Sequence, residues 1–118
     1  MIKCGIMDAK QKLNEVNKII KEVGNDDSKF QSSFMTFMGS AMSGGSLDEK
    51  TKGLIAVSLS IASRCEWCIS YHVNAALRAG ATREELMEVG YVTVLMYGSQ
   101  ALMELNNLVD AINQFKPE

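Results

Sequence analysis

The chain has 118 residues, 47% of them hydrophobic, and a formal net charge of −2, which suits one domain with a modest core. Lacking a basic stripe, it is not expected to bind nucleic acid. It also lacks an apolar run of roughly 18–20 residues and a secretion-type N-terminus, so the expectation is a soluble cytoplasmic protein with no membrane partner.

Pro117 is the single proline, so the interior is free of the strongest helix breaker. Apolar spacing is helical nearly throughout and strand-like alternation is absent. The expected fold is an all-α single-domain bundle of about six helices.

The first helix is expected from Asp8 to about Val23, with Leu13, Val16, Ile20 and Val23 on its apolar face. Gly24-Asn25-Asp26-Asp27 ends it and offers the next cap. The second helix carries Phe30, Phe34, Phe37, Met38 and Ala41, with Met35 and Met42 beside them. This reads as a hydrophobic packing face, part of it available to a subunit interface. Gly39 and Gly44-Gly45 mark the way out.

Ser46-Leu47-Asp48-Glu49 has capping-box spacing, with Ser46 as the cap. The helix after it, to about Ala62, is apolar on most sides and is read as central. Gly53 in its first turns suggests close packing. Ser63-Arg64-Cys65-Glu66 repeats the box spacing, which puts Cys65 in the first turn of a fourth helix that stops at Gly80. Thr82 and Glu85 cap a fifth helix with Leu86, Val89, Thr93 and Met96 as its buried line. Gly98-Ser99 interrupts the pattern. A sixth helix, about Gln100 to Phe115, buries Leu102, Leu105, Leu108, Val109, Ile112 and Phe115. Residues 1–45 form an N-terminal packing arm and residues 46–118 the core unit.

The chemistry concentrates in Cys65-Glu66-Trp67-Cys68-Ile69-Ser70-Tyr71-His72, which holds two of the three cysteines and the only histidine. Cys4, near the terminus, is read as incidental. At about 100° per residue, Cys65, Cys68 and His72 fall within about 60° of one another around a helix. A thiolate is the reactive form of cysteine. The helix start favours negative charge on Cys65, while His72 lies one turn from Cys68. These influences favour different nucleophiles, and both remain open. Helix positions three apart place Cβ atoms about 5–6 Å apart, whereas a disulfide wants roughly 3.5–4.5 Å. Closing the bond therefore needs an adjustment that a first turn tolerates. The set suits thiol–disulfide exchange, or peroxide reduction through a sulfenic acid. Two other readings stand beside it. One is a metal site, with Cys65, Cys68 and His72 as three ligands completed by water or a second subunit. The other is a buried packing cluster.

Three segments together resemble the carboxymuconolactone decarboxylase / alkylhydroperoxidase D-like family. They are Leu47-Asp48-Glu49-Lys50-Thr51-Lys52-Gly53-Leu54-Ile55, the Cys65-x-x-Cys68-x-x-x-His72 motif, and the run from Ala75 through Gly80-Ala81-Thr82 to Glu85. The resemblance spans roughly residues 46–115 and is looser before them. It implies an all-α subunit in homo-oligomers, often trimers or hexamers, with the site near subunit contacts. In the hydroperoxidase branch the cysteines cycle between dithiol and disulfide, and a histidine with an upstream glutamate relays the proton. Cys65, Cys68 and His72 match that pattern. The glutamate position, twelve residues before the first cysteine, is Gly53 here. Glu49, one turn earlier, is the substitute, or else the box residue of its own cap.

The leading expectation is a thiol-dependent oxidoreductase, acting as a disulfide reductase or alkylhydroperoxidase-like antioxidant. It would use no cofactor and no metal. Its partners would be a small peroxide or disulfide substrate and a thioredoxin-, glutaredoxin- or lipoyl-type dithiol donor. The alternatives are a non-catalytic redox sensor or metal-binding module, and a cysteine-independent decarboxylase-like lyase.

Overall fold

A computed structural model describes residues 7–116. Cys4 and Pro117 lie outside them. The described chain forms six helices: α1 (Ala9–Asp26), α2 (Ser28–Met42), α3 (Glu49–Ala62), α4 (Glu66–Arg78), α5 (Arg83–Tyr97) and α6 (Ser99–Phe115). The expected all-α bundle is what forms.

Helices α3 to α6 pack on one another around Val57, Ile61, Ile69, Val73, Leu86, Leu108 and Ile112, all fully buried. α1 lies across α4 and α6. Its start is fixed by long-range bonds, with Ala9 N–H donating to Asp110 Oδ2 at 2.9 Å and Lys10 N–H to Gln114 Oε1 at 3.0 Å. α2 folds back on α1, touches α3 lightly and buries none of its residues. The aromatic face of α2, with Phe30, Phe34 and Phe37, is exposed.

Several caps differ from the spacing-based reading. α1 begins as expected, with a full capping box between Asp8 and Gln11, but runs through Gly24 to Asp26. Asp27 then closes it and caps α2, accepting the Phe30 N–H at 3.0 Å. α2 likewise continues through Gly39 to Met42. α3 is capped by Asp48, which accepts the Thr51 N–H at 2.8 Å, and not by Ser46. A carboxylate is the stronger acceptor at a helix start, where the dipole favours negative charge. Hydrogen bonding from Thr51, its side chain first and its backbone N–H second, holds Asp48 below the usual carboxylate pKa.

Ser63 does not cap α4. It ends α3, its N–H bonded to Leu59 O at 3.0 Å, and Arg64 follows with φ 58°. The turn is so short that Cys65 itself becomes the α4 cap. Thr82 and Glu85 do form the expected box on α5. Met96 (71% exposed) and Leu102 (53%) are not buried, because the α5–α6 corner at Gly98 projects beyond the core. Along α3, Ile55 and Leu59 also face outward, so this central helix keeps one exposed apolar edge.

Candidate redox site

The site is assembled where α3 hands the chain to α4. Cys65 stands at the cap with φ −97° and ψ 98°, outside the helical region. Its N–H donates to Ser60 O at 3.1 Å, which ties the turn to the last part of α3. Its Sγ accepts the Cys68 N–H at 3.2 Å, so the sulfur does what a capping oxygen does elsewhere. Cys65 and Cys68 form a disulfide across this first turn, with Cα atoms 5.1 Å apart. The extended backbone at Cys65 supplies the adjustment that two residues inside a regular helix could not make. Both cysteines are partly exposed.

Each residue between the cysteines is bonded to α1. Glu66 pairs with Lys12 at 3.0 Å, and Trp67 Nε1 donates to Glu15 Oε1 at 3.0 Å.

His72 lies one turn beyond Cys68 on α4 and packs edge-to-face with Tyr71, with ring centroids 5.1 Å apart. Burial pushes its pKa below the ordinary 6.5, so the ring is mainly neutral at pH 7 and able to accept a proton. Its Nδ1 is buried and has no hydrogen-bond partner among the described residues. The ring borders a cavity of about 390 Å³ between α2, α3 and α4. Met35, Met38 and Met42 form the α2 wall, and Glu49, Gly53, Asn74 and Arg78 line the rest. Glu49 and His72 therefore meet the same cavity. The two cysteines are not among its lining residues.

Gly53 is where α3 and α4 cross most closely. A Cβ there would come within 3.3 Å of both Cα and Cβ of Ala76. A side chain at that position requires the two helices to give by a few tenths of an ångström. Glu49 is not the box residue of its helix either, because Asp48 is the cap and Glu49 the first helical residue. Glu49 is exposed and lines the cavity.

The sequence profile of the carboxymuconolactone decarboxylase family matches residues 28–111. The chain belongs to this family. An uncharacterized protein of Cupriavidus necator is 35% identical over 109 residues, covering 90% of this chain and 96% of that one. A second relative, an uncharacterized protein from the cox locus of Paracoccus denitrificans, is 31% identical over 93 residues, or 79% and 84% of the two chains. Among solved structures, the apo form of a carboxymuconolactone decarboxylase family protein of Legionella pneumophila superposes with a TM-score of 0.88 at 28% identity. It covers 92% of this chain and 97% of its own. A Thermotoga maritima member, for which an antioxidative role has been suggested, gives 0.76 at 26% identity over 87% and 88% of the two chains. The family match starts at residue 28 and so takes in α2, which the motif resemblance matched only loosely.

Within this family fold, the sequence singled out Cys65, Cys68, His72 and Glu49 as candidates, and the structure adds Lys12, Glu15 and Asn107 as neighbours of the Cys65–Cys68 turn that the sequence did not single out. One signal for Lys12 was available: it falls at helical spacing between Ala9 and Val16, a charge set into an apolar stripe. Among the described residues, no three His, Cys, Asp or Glu side chains gather as a metal-binding group. No described helix is long and apolar enough to cross a membrane.

Proposed function

We propose that this protein is a thiol-dependent oxidoreductase that cycles Cys65 and Cys68 between dithiol and disulfide, with His72 and Glu49 moving the proton. The observation that carries the reading is the disulfide at a helix start, one turn from an imidazole that burial keeps neutral. A helix N-terminus lowers the cost of a thiolate, and a neutral imidazole takes its proton.

In the reductive half, a donor thiolate of thioredoxin, glutaredoxin or lipoyl type attacks one sulfur of the pair and forms a mixed disulfide. The second donor thiol displaces it. The donor loses two electrons, and the protein gains two electrons and two protons. In the oxidative half, one thiolate attacks an oxygen of a small hydroperoxide. The O–O bond breaks and the leaving alkoxide takes a proton from the His72 side, giving an alcohol and a sulfenic acid. The other thiol attacks the sulfenic sulfur, releasing water and restoring the disulfide. A small disulfide substrate would be reduced by the same exchange, run from the dithiol. Glu49 is the carboxylate through which His72 exchanges protons across the Met-walled cavity. This cycle fits a cytoplasmic setting, where dithiol donors are kept reduced.

The test is dithiol-dependent consumption of an organic hydroperoxide and of a small disulfide. Cys65→Ser and Cys68→Ser are each expected to lose at least about 100-fold in turnover, and Glu49→Gln about 10-fold, in the range of general acid–base contributions. Turnover that survives in both serine variants sinks the reading and favours a cysteine-independent lyase.

A further inference from the structure

The two residues that separate the cysteines are held from outside α4. The more unusual grip is the one on Glu66. Lys12 has a side chain only 7% exposed, yet its ammonium meets the half-exposed Glu66 carboxylate at 3.0 Å. The same Nζ donates to Asn107 Oδ1 on α6 at 3.0 Å, and Asn107 Nδ2 donates to Glu104 Oε1 at 2.9 Å. A buried ammonium is costly unless paired and hydrogen-bonded, and here it is both. Among the described residues, its one charged partner is Glu66, which directly follows Cys65.

In the disulfide the sulfurs carry no charge. Reduction and loss of a proton place a negative charge in the first turn of α4, where the Glu66 carboxylate is already present. The helix dipole favours that charge, Glu66 opposes it, and Lys12 offsets Glu66. The other titratable or charged groups on this turn or bonded to it are Arg64, His72 and Glu15. Glu15 is engaged by Trp67 Nε1 at 3.0 Å. From α3 the turn receives the Ser60 carbonyl, and from α6 the neutral Asn107. Lys12 is thus the cation delivered to the pair by another helix.

We propose that Lys12 is a positioning residue that sets the acidity of the reduced Cys65–Cys68 pair by neutralising Glu66. It acts through Glu66 and touches neither sulfur nor substrate. Its purpose rests on the redox reading above, but its measurement does not.

The experiment titrates thiolate in the reduced full-length protein, by ultraviolet absorbance and by alkylation rate with each cysteine followed by mass spectrometry. Lys12→Gln leaves the carboxylate uncompensated and is expected to lower the neutral-pH thiolate fraction of the more acidic cysteine about threefold, half a pKa unit. Glu66→Gln leaves the buried cation uncompensated and is expected to raise it by a similar factor. The double variant returns to within about twofold of the parent. Trp67→Phe cuts the second α1 tether without changing charge and leaves the titration where it was.

A purely structural tether would shift all three single variants in one direction. That result, or no shift in either charge variant, overturns the proposal. Should Lys12→Gln fail to fold, the exposed Glu66→Gln decides by its sign alone. Opposite shifts in a protein with no dithiol-dependent turnover would sink the oxidoreductase reading and leave this one standing.

Discussion

His72 is the residue whose environment sets the strongest condition on the site. Its ring gives up solvent without gaining a bond at Nδ1, so the charged form is disfavoured in the folded protein. That has a consequence for stability. As pH falls through the ordinary value of 6.5, the unfolded chain takes up a proton that the folded chain resists. Stability is therefore full above that value and declines below it, toward the depressed folded pKa. The carboxylates with shifted values, Asp48 and Glu85, are shifted downward and titrate at lower pH, outside this window. Urea midpoints of the parent are expected to drop between about pH 7.5 and 5.5. His72→Phe, which has no proton to bind, is expected to flatten that drop. Parallel midpoints for the two proteins would show that His72 is not desolvated in solution.

At the scale of the helices, the α3–α4 crossing governs what the site can contain. Gly53 in an ordinary exposed helix interior would gain about 1 kcal/mol on replacement by Ala. Here the added methyl would press on the backbone of Ala76 at 3.3 Å, and α4 cannot yield without moving Cys68 and His72. Gly53→Ala is expected to cost about 1–2 kcal/mol by overpacking, and Gly53→Glu more, measured by urea unfolding. A stabilising Gly53→Ala would mean that the helices part easily. The glycine was legible in the sequence as a point of close packing. What it packs against was not, because Ala76 lies on a different helix and only the crossing joins them. The same limit explains the caps. Periodicity located every helix, since an apolar stripe is a property of one segment. Ser63 satisfied the spacing of a capping box, yet the three-residue link between α3 and α4 passed that role to its last residue, Cys65. Lys12 was invisible as part of the site for the same reason, since its partners Glu66 and Asn107 come from α4 and α6.

Across the described residues, two exposed apolar groups stand out besides the α3 edge. One is the aromatic face of α2. The other runs along the α5–α6 corner through Tyr91, Val92, Leu95, Met96, Tyr97, Leu102 and Met103. On its α3 side, Val92 shares a groove with Ile55. The buried core of α3–α6 is complete without these side chains, so intrachain packing does not account for them. Apolar side chains exposed together on a small chain suit contact with another protein. The homo-oligomer that the family resemblance implies would seat further copies of this chain here. The α5–α6 corner is the better seam because Leu95, at 80% exposed, is the most exposed large apolar side chain among the described residues. Leu95→Glu would place a charge in that seam, and an interface core does not accept an unpaired charge. Light scattering coupled to size exclusion is expected to give several times the 13.0 kDa chain mass for the parent and a smaller species for Leu95→Glu. The helical circular dichroism of the variant should be unchanged, since the side chain is 80% exposed in its own subunit. A parent that runs as a monomer at tens of micromolar, or a variant that assembles unaltered, would remove the corner from consideration as the seam. Retained assembly would leave the α2 face, with Phe37 at its most exposed point, to be tested by the same substitution.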